Sequence, residues 1–255
     1  MFGSELITTS VKNPKQNGPA IVPFITAGYP DKDSFLDLIT ALAKTADVIE
    51  IGVPFSDPMA DGVTIQRSSH AAIESGVTLK WILEELKRLN TKTPIVLMSY
   101  LNPLYVYGYD RLVEASLEAG IDGFIIPDLP IEEGEEIREV FNQAKLAMIQ
   151  LVTPATPKNR ISTIAKYSTG FLYAVTVKGV TGGNEGLSKE VVGYLETVKA
   201  SSSIPVCAGF GVRGKADVEL LEPYVDGVIV GSALVEAIEQ KITVSDFLKT
   251  LRTGE

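Results

Sequence analysis

The chain has 255 residues, 45% of them apolar and 22% charged, with a formal net charge of −9. Such a composition suits a soluble globular protein able to bury a sizeable core. Its acidic balance argues against a nucleic-acid or anionic-membrane surface, which needs clustered Lys and Arg.

In chain order, MFGSELITTSVKNPK comes first and lacks the basic region and apolar run of a secretory signal. No later stretch approaches the ~20 apolar residues of a membrane span. Cys207 is the sole cysteine, so no intramolecular disulfide forms and a reducing, cytoplasmic setting is expected. Eight short apolar runs follow, at 20–28, 47–52, 94–100, 123–128, 147–152, 170–177, 204–209 and 226–231. Most are continuous rather than alternating, as in parallel strands covered on both faces. Segments with helical spacing separate them, among them DSFLDLITALAKT, LKWILEELKRLN, YDRLVEASLEAG, EEIREVFNQAK, RISTIAKYS, EVVGYLETVKA and KADVELLEPY.

A weaker period of two units overlies this alternation. Runs two, four and eight start with Asp-Val or Asp-Gly, whereas the odd runs follow a proline or a short polar approach. Eight βα units in about 250 residues are what a (β/α)8 barrel requires. A doubly wound open sheet would place a Gly-rich phosphate turn after the first strand, and AGYPDKD is no such turn. The expected fold is an α/β, single (β/α)8 TIM barrel domain over residues 1–255, with a short N-terminal extension.

The stretch IEIGVPFSDPMADG, residues 49–62, puts a glutamate inside a buried strand. If Ile49 and Ile51 face the helices, Glu50 faces the barrel interior near the C-terminal end of its strand, where barrel enzymes assemble their sites. An unpaired carboxylate there costs several kcal/mol or holds a proton, which suits a general acid or base at neutral pH. No Lys or Arg lies in the eight strand cores to pair with it. Asp57 and Asp61 follow in the loop on the same face, and either could be a second acid or simply a turn or helix-cap residue before a helix starting near Val63. Asp128, at the end of the fourth run, is a weaker third candidate. His70 lies in a helical stretch away from the strand ends and reads as a surface or packing residue. Trp81, among leucines at helical spacing, reads as packing, and Cys207 as a small core residue.

Three glycine-bearing turns end the chain's later runs: KGVTGGNEG at 178–186, AGFGV at 208–212 and VGSAL at 230–234. Barrels often hold phosphate on the loops after strands seven and eight and the N-terminus of a short extra helix, using backbone N–H groups and the helix dipole. Ser232 could cap that helix through its hydroxyl. The long polar loop from Lys178 to Ser188 has the composition of a lid.

IEIGVPFSDPMADG, VPFITAGYP, the YLNP turn, GVTG, GFGV and VGSAL, in this order over about residues 20–235, closely resemble the tryptophan synthase alpha subunit family. The resemblance implies retro-aldol cleavage of indole-3-glycerol phosphate to indole and glyceraldehyde 3-phosphate, with no metal or organic cofactor in this chain. By motif position Glu50 matches the family's acid-base residue and Asp61 the carboxylate that meets the indole N–H, which resolves the choice between the loop aspartates. Phe24, Tyr100, Pro127 and Tyr173 match the indole pocket, and Thr181 the lid threonine. Gly182, Gly211, Gly231 and Ser232 match the phosphate site. Two departures stand out: the polar segment before Ala20, with Pro14 and Gly18, leaves room for only a short helix at the barrel floor, and Pro127 replaces a residue that is often small.

The family also implies a pyridoxal-phosphate-dependent beta subunit that docks on the active face and receives indole, in an alpha2-beta2 hetero-tetramer. Pro54 to Pro58 and Asn102 to Leu104 match the contact region. Two other functions fit the same fold: a stand-alone indole-3-glycerol phosphate lyase, and a non-catalytic allosteric activator of the partner. Retention of Glu50 and Asp61 argues against the second.

Overall fold

The computed structural model describes residues 3–176, 187–209 and 211–254. Its elements run α1 (Ser4–Lys12), β1 (Ala20–Thr26), α2 (Phe35–Leu42), β2 (Ile49–Gly52), α3 (Val63–Glu74), α4 (Leu79–Leu86), β3 (Ile95–Met98), α5 (Leu101–Tyr107), α6 (Tyr109–Glu118) and β4 (Gly123–Ile125). They continue with α7 (Glu135–Gln143), β5 (Ala147–Val152), α8 (Lys158–Tyr167), β6 (Leu172–Val175), α9 (Lys189–Ser201), β7 (Val206–Gly209), α10 (Lys215–Leu221), β8 (Gly227–Val230), α11 (Ser232–Glu239) and α12 (Val244–Thr253). The strands are parallel and close into a barrel in the order β1 to β8, so the expected (β/α)8 fold is the observed one. No helix among the described residues is long and apolar enough to cross a membrane.

Strand alternation sorts the core into two shells. Ile21, Ile25, Ile49, Ile51, Ile95 and Leu97 join the layer between barrel and helices. Ala20, Val22, Val48, Val96, Ile149 and Cys207 fill the interior, and Ile7 and Val11 of α1 seal it from below. The expected short floor helix is thus nine residues long and contributes one apolar face. Trp81 packs on Phe35 in the outer layer with ring centroids 5.3 Å apart. His70 is exposed and pairs with Glu74 one turn on.

The two-unit period has a structural cause at the N-terminal end of the barrel. Asp47, just before β2, accepts the Ile21 N–H of β1 at 2.8 Å. Asp122, before β4, accepts the Ile95 N–H at 3.1 Å, and Asp226, before β8, accepts the Val206 N–H at 2.8 Å. In the remaining pair, whose sixth run lacks the aspartate, the Ser168 hydroxyl takes the Gln150 N–H at 2.9 Å. Each even unit thereby satisfies a backbone donor at the start of the preceding odd strand.

Two helices escaped the sequence reading. α5 contains Pro103, but in its first turn, where a missing N–H breaks no intrahelical bond. α12 is capped by Thr243, whose hydroxyl accepts the Asp246 N–H at 3.1 Å.

Candidate active site

Glu50 points into the barrel from β2, between Phe24 of β1 and Val96 of β3 in register. It is 2% exposed, and its Oε2 has no hydrogen-bond partner. Burial, followed by the field of Asp61, pushes its carboxyl up to about 8. An acid in that state holds its proton at neutral pH and can give it to a bound molecule.

The loop after β2 brings Asp61 to the same cavity just before α3 begins. Tyr100 donates its hydroxyl to Asp61 Oδ2 at 3.1 Å and accepts the Ala60 N–H at 2.8 Å. Burial raises the Asp61 carboxyl, and the tyrosine bond works in the opposite direction. The field of Asp61 adds to burial in holding the proton on Glu50. The hydroxyl of Tyr100 is pushed up to about 12, chiefly by burial, so it stays a donor.

Asp57 lies elsewhere: it is exposed, accepts the Ser56 hydroxyl at 2.6 Å, and does not line the cavity. Asp128 accepts the Leu101 N–H at 2.8 Å, which gives it a structural task at the start of α5.

The cavity has a volume of about 280 Å³. Phe24, Glu50, Asp61, Pro127, Tyr173, Gly211, Gly231 and Ser232 all line it. Tyr100 stands one layer back, 2% exposed and stacked on Phe55 with centroids 5.0 Å apart, so it touches the acid rather than the slot. Thr181 and Gly182 lie outside the described residues. Ser232 does not cap α11 as expected: Gly231 occupies the N-cap position, no side chain caps it, and Ser232 is the first helical residue. Its own N–H and those of the next residues therefore belong to the open end of the helix.

Several wall residues left no readable signal. Ile65, Met98, Leu151 and Ile229 add apolar surface, and Thr176 adds a hydroxyl that donates to the Gly209 carbonyl at 3.0 Å. Two glycines make space for the rings. A Cβ at Gly52 would come within 2.4 Å of the Phe24 ring, and one at Gly209 within 2.6 Å of the Tyr173 hydroxyl.

The cavity wall thus joins apolar side chains and two acids to Gly211 and to Gly231 and Ser232 at the N-terminus of α11, and none of the described lining residues is Lys or Arg. Such a helix end can hold an anion on backbone N–H groups and the helix dipole. Among the described residues, no group of three or more His, Cys, Asp or Glu could hold a metal ion. A larger cavity of about 580 Å³ opens at the opposite end of the barrel, beside Gly3 and Lys145. Its carboxylate, Asp122, already accepts two backbone N–H groups.

The family model described as "Tryptophan synthase alpha chain" matches residues 11–251. A tryptophan synthase alpha chain of Bacillus cereus (strain G9842) is 44% identical over 243 residues, covering 94% of this chain and 93% of that one. Among solved structures, tryptophan synthase subunit alpha from Legionella pneumophila aligns with a TM-score of 0.86 at 34% identity, covering 99% of this chain and 97% of that one. A chain of Mycobacterium tuberculosis tryptophan synthase aligns with a TM-score of 0.88 at 35% identity, covering 99% and 98%. The chain belongs to the tryptophan synthase alpha chain family, and its function is that of the alpha subunit in tryptophan biosynthesis.

Proposed function

We propose that this chain cleaves indole-3-glycerol phosphate to indole and glyceraldehyde 3-phosphate, with Glu50 and Asp61 as the catalytic pair. The observation that carries the reading is the buried, unpartnered Glu50 oxygen facing a ring-sized apolar slot, with a second acid beside it. A carbon leaving group must be protonated before its C–C bond breaks. Glu50 gives its proton to indole C3, which places positive charge on the ring nitrogen. Asp61, as carboxylate, accepts the indole N–H and offsets that charge. The resulting Glu50 carboxylate then takes the proton of the side-chain hydroxyl as the C–C bond breaks, yielding the aldehyde and restoring the acid. One proton enters the ring and one returns, so the residue ends as it began.

Phe24, Tyr173 and Pro127 form the indole slot, and Tyr100 holds Asp61 in place. Gly211, Gly231 and Ser232 take the phosphate, joined in this reading by Gly182 from the glycine loop; Thr181 meets the loop aspartate on closure. The active face also exposes Met59, Val63, Tyr105 and Val106 beside the loop 54–58 and residues 102–104 of α5, which supports docking of a beta subunit there. Pyridoxal phosphate belongs to that partner, the assembly is alpha2-beta2, and the setting is cytoplasmic.

The test is indole release from indole-3-glycerol phosphate by the purified chain, alone and with a beta subunit, for wild type and Glu50→Gln. Slow release that the beta subunit accelerates and the variant loses is expected. Fast release by the chain alone would make it a stand-alone lyase; none under either condition would make it a non-catalytic activator.

A further inference from the structure

α3 and α11 lie side by side on the active face, and a carboxylate joins what they carry. Glu236, one turn into α11, accepts the Thr64 hydroxyl on Oε1 at 3.2 Å. Its Oε2 pairs with Arg213 Nη1 at 3.2 Å. Thr64 lies three residues beyond Asp61, in the first turn of α3. Arg213 lies two residues beyond Gly211, and Glu236 itself four beyond Ser232. One turn further along, Glu239 takes Arg67 of α3 on both oxygens at 2.8 Å, and the Tyr29 hydroxyl at 2.7 Å.

We propose that Glu236 is a positioning residue that links the phosphate end of the cavity to the Asp61 loop, so that filling the phosphate site fixes the acid in place for chemistry. The inference rests on the catalytic reading above. Each bond alone is exposed enough to add little to stability. Their value lies in what they join: the Gly211 turn, the N-terminus of α11 and the start of α3 meet at a single side chain. Remote binding energy of this kind is realised at the reacting centre, and a substrate lacking the remote group then loses kcat as well as affinity.

Cleavage of indole-3-glycerol phosphate and of indole-3-glycerol, which lacks the phosphate, is compared in the presence of the beta subunit. Glu236→Ala is expected to lower kcat for the phosphorylated substrate by about fivefold or more, while the rate on the other changes less than about twofold. Arg213→Ala, which frees the phosphate end of the link, is expected to give the same pattern. A calorimetric titration needs no turnover: inorganic phosphate is expected to tighten indole binding to wild type but not to Glu236→Ala. An equal fall on both substrates, or phosphate-tightened indole binding retained in the variant, would overturn the proposal. Wild type that releases no indole from either substrate yet binds phosphate and indole cooperatively would instead overturn the catalytic reading.

Discussion

Asp47 and Glu50 stand three residues apart on one segment of chain, and both are almost wholly buried, at 1% and 2% exposure. Asp47 faces the N-terminal end of the barrel, where the Lys15 and Ile21 N–H groups and the Arg252 guanidinium donate to it at 2.6, 2.8 and 3.3 Å. Glu50 faces the other end and has an oxygen with no partner. Burial pushes both carboxyls up, but around Asp47 two amides and two cations oppose it, whereas the charge acting on Glu50 is another acid. Burial alone therefore does not mark a functional acid. The supply of partners separates the two: Asp47 is a satisfied carboxylate that ties strands together, and Glu50 keeps an unsatisfied oxygen that the proposed reading reserves for the substrate.

The sharpest way to break this contrast is Glu50→Gln. Turnover is expected to fall by about 10²–10⁴-fold, the span of general acid-base catalysis. The folded protein should at the same time become more stable. A carboxyl whose folded value is raised holds its proton where the unfolded chain has lost it, so its contribution is intact below about 4.5 and is lost as pH rises through about 8. At pH 7 the glutamine variant is thus expected to gain on the order of 3 kcal/mol in urea unfolding, with the gain vanishing toward pH 4.5.

Asp61→Asn sharpens the top-face half. A fall of about 10² in kcat/KM is expected, with Asp57→Asn within about twofold of wild type. Wild-type kcat/KM should decline as pH rises through about 8, where Glu50 loses its proton. Because the Asp61 charge raises Glu50, that alkaline limb should move to lower pH in Asp61→Asn.

The opposite face is tested by Asp47→Ala, which leaves two backbone donors without their acceptor and takes the carboxylate from the Arg252 guanidinium, which keeps the Asn17 and Pro19 carbonyls. A loss of about 3 kcal/mol in stability is expected, with turnover per folded molecule nearly unchanged. The smallest effect is expected at Thr243→Ala, which removes the α12 cap and should cost about 1 kcal/mol with no change in activity.

The contrast also shows what a sequence can carry. Strand cores such as Ile49–Gly52 and Ala147–Val152 were legible because burial on both faces writes itself as continuous apolar runs. Glu50 was legible for the same reason, as a charge where the pattern forbids one. Asp57 and Asp61 were not separable by local chemistry, since what distinguishes them is a bond to Tyr100, 39 residues beyond Asp61. The Gly52–Phe24 and Gly209–Tyr173 approaches likewise join different strands, and nothing local marks them. α5 was hidden by Pro103, and the misread cap at Ser232 turned on one residue of helix phase.

The measurement to make is a titration of the Glu50 side-chain carboxyl by carbon NMR, assigned through Glu50→Gln. A midpoint near 8 is expected, moving to lower pH in Asp61→Asn. A midpoint at the ordinary glutamate value near 4.5 would mean that Glu50 is ionised at neutral pH and would contradict its role as the proton donor.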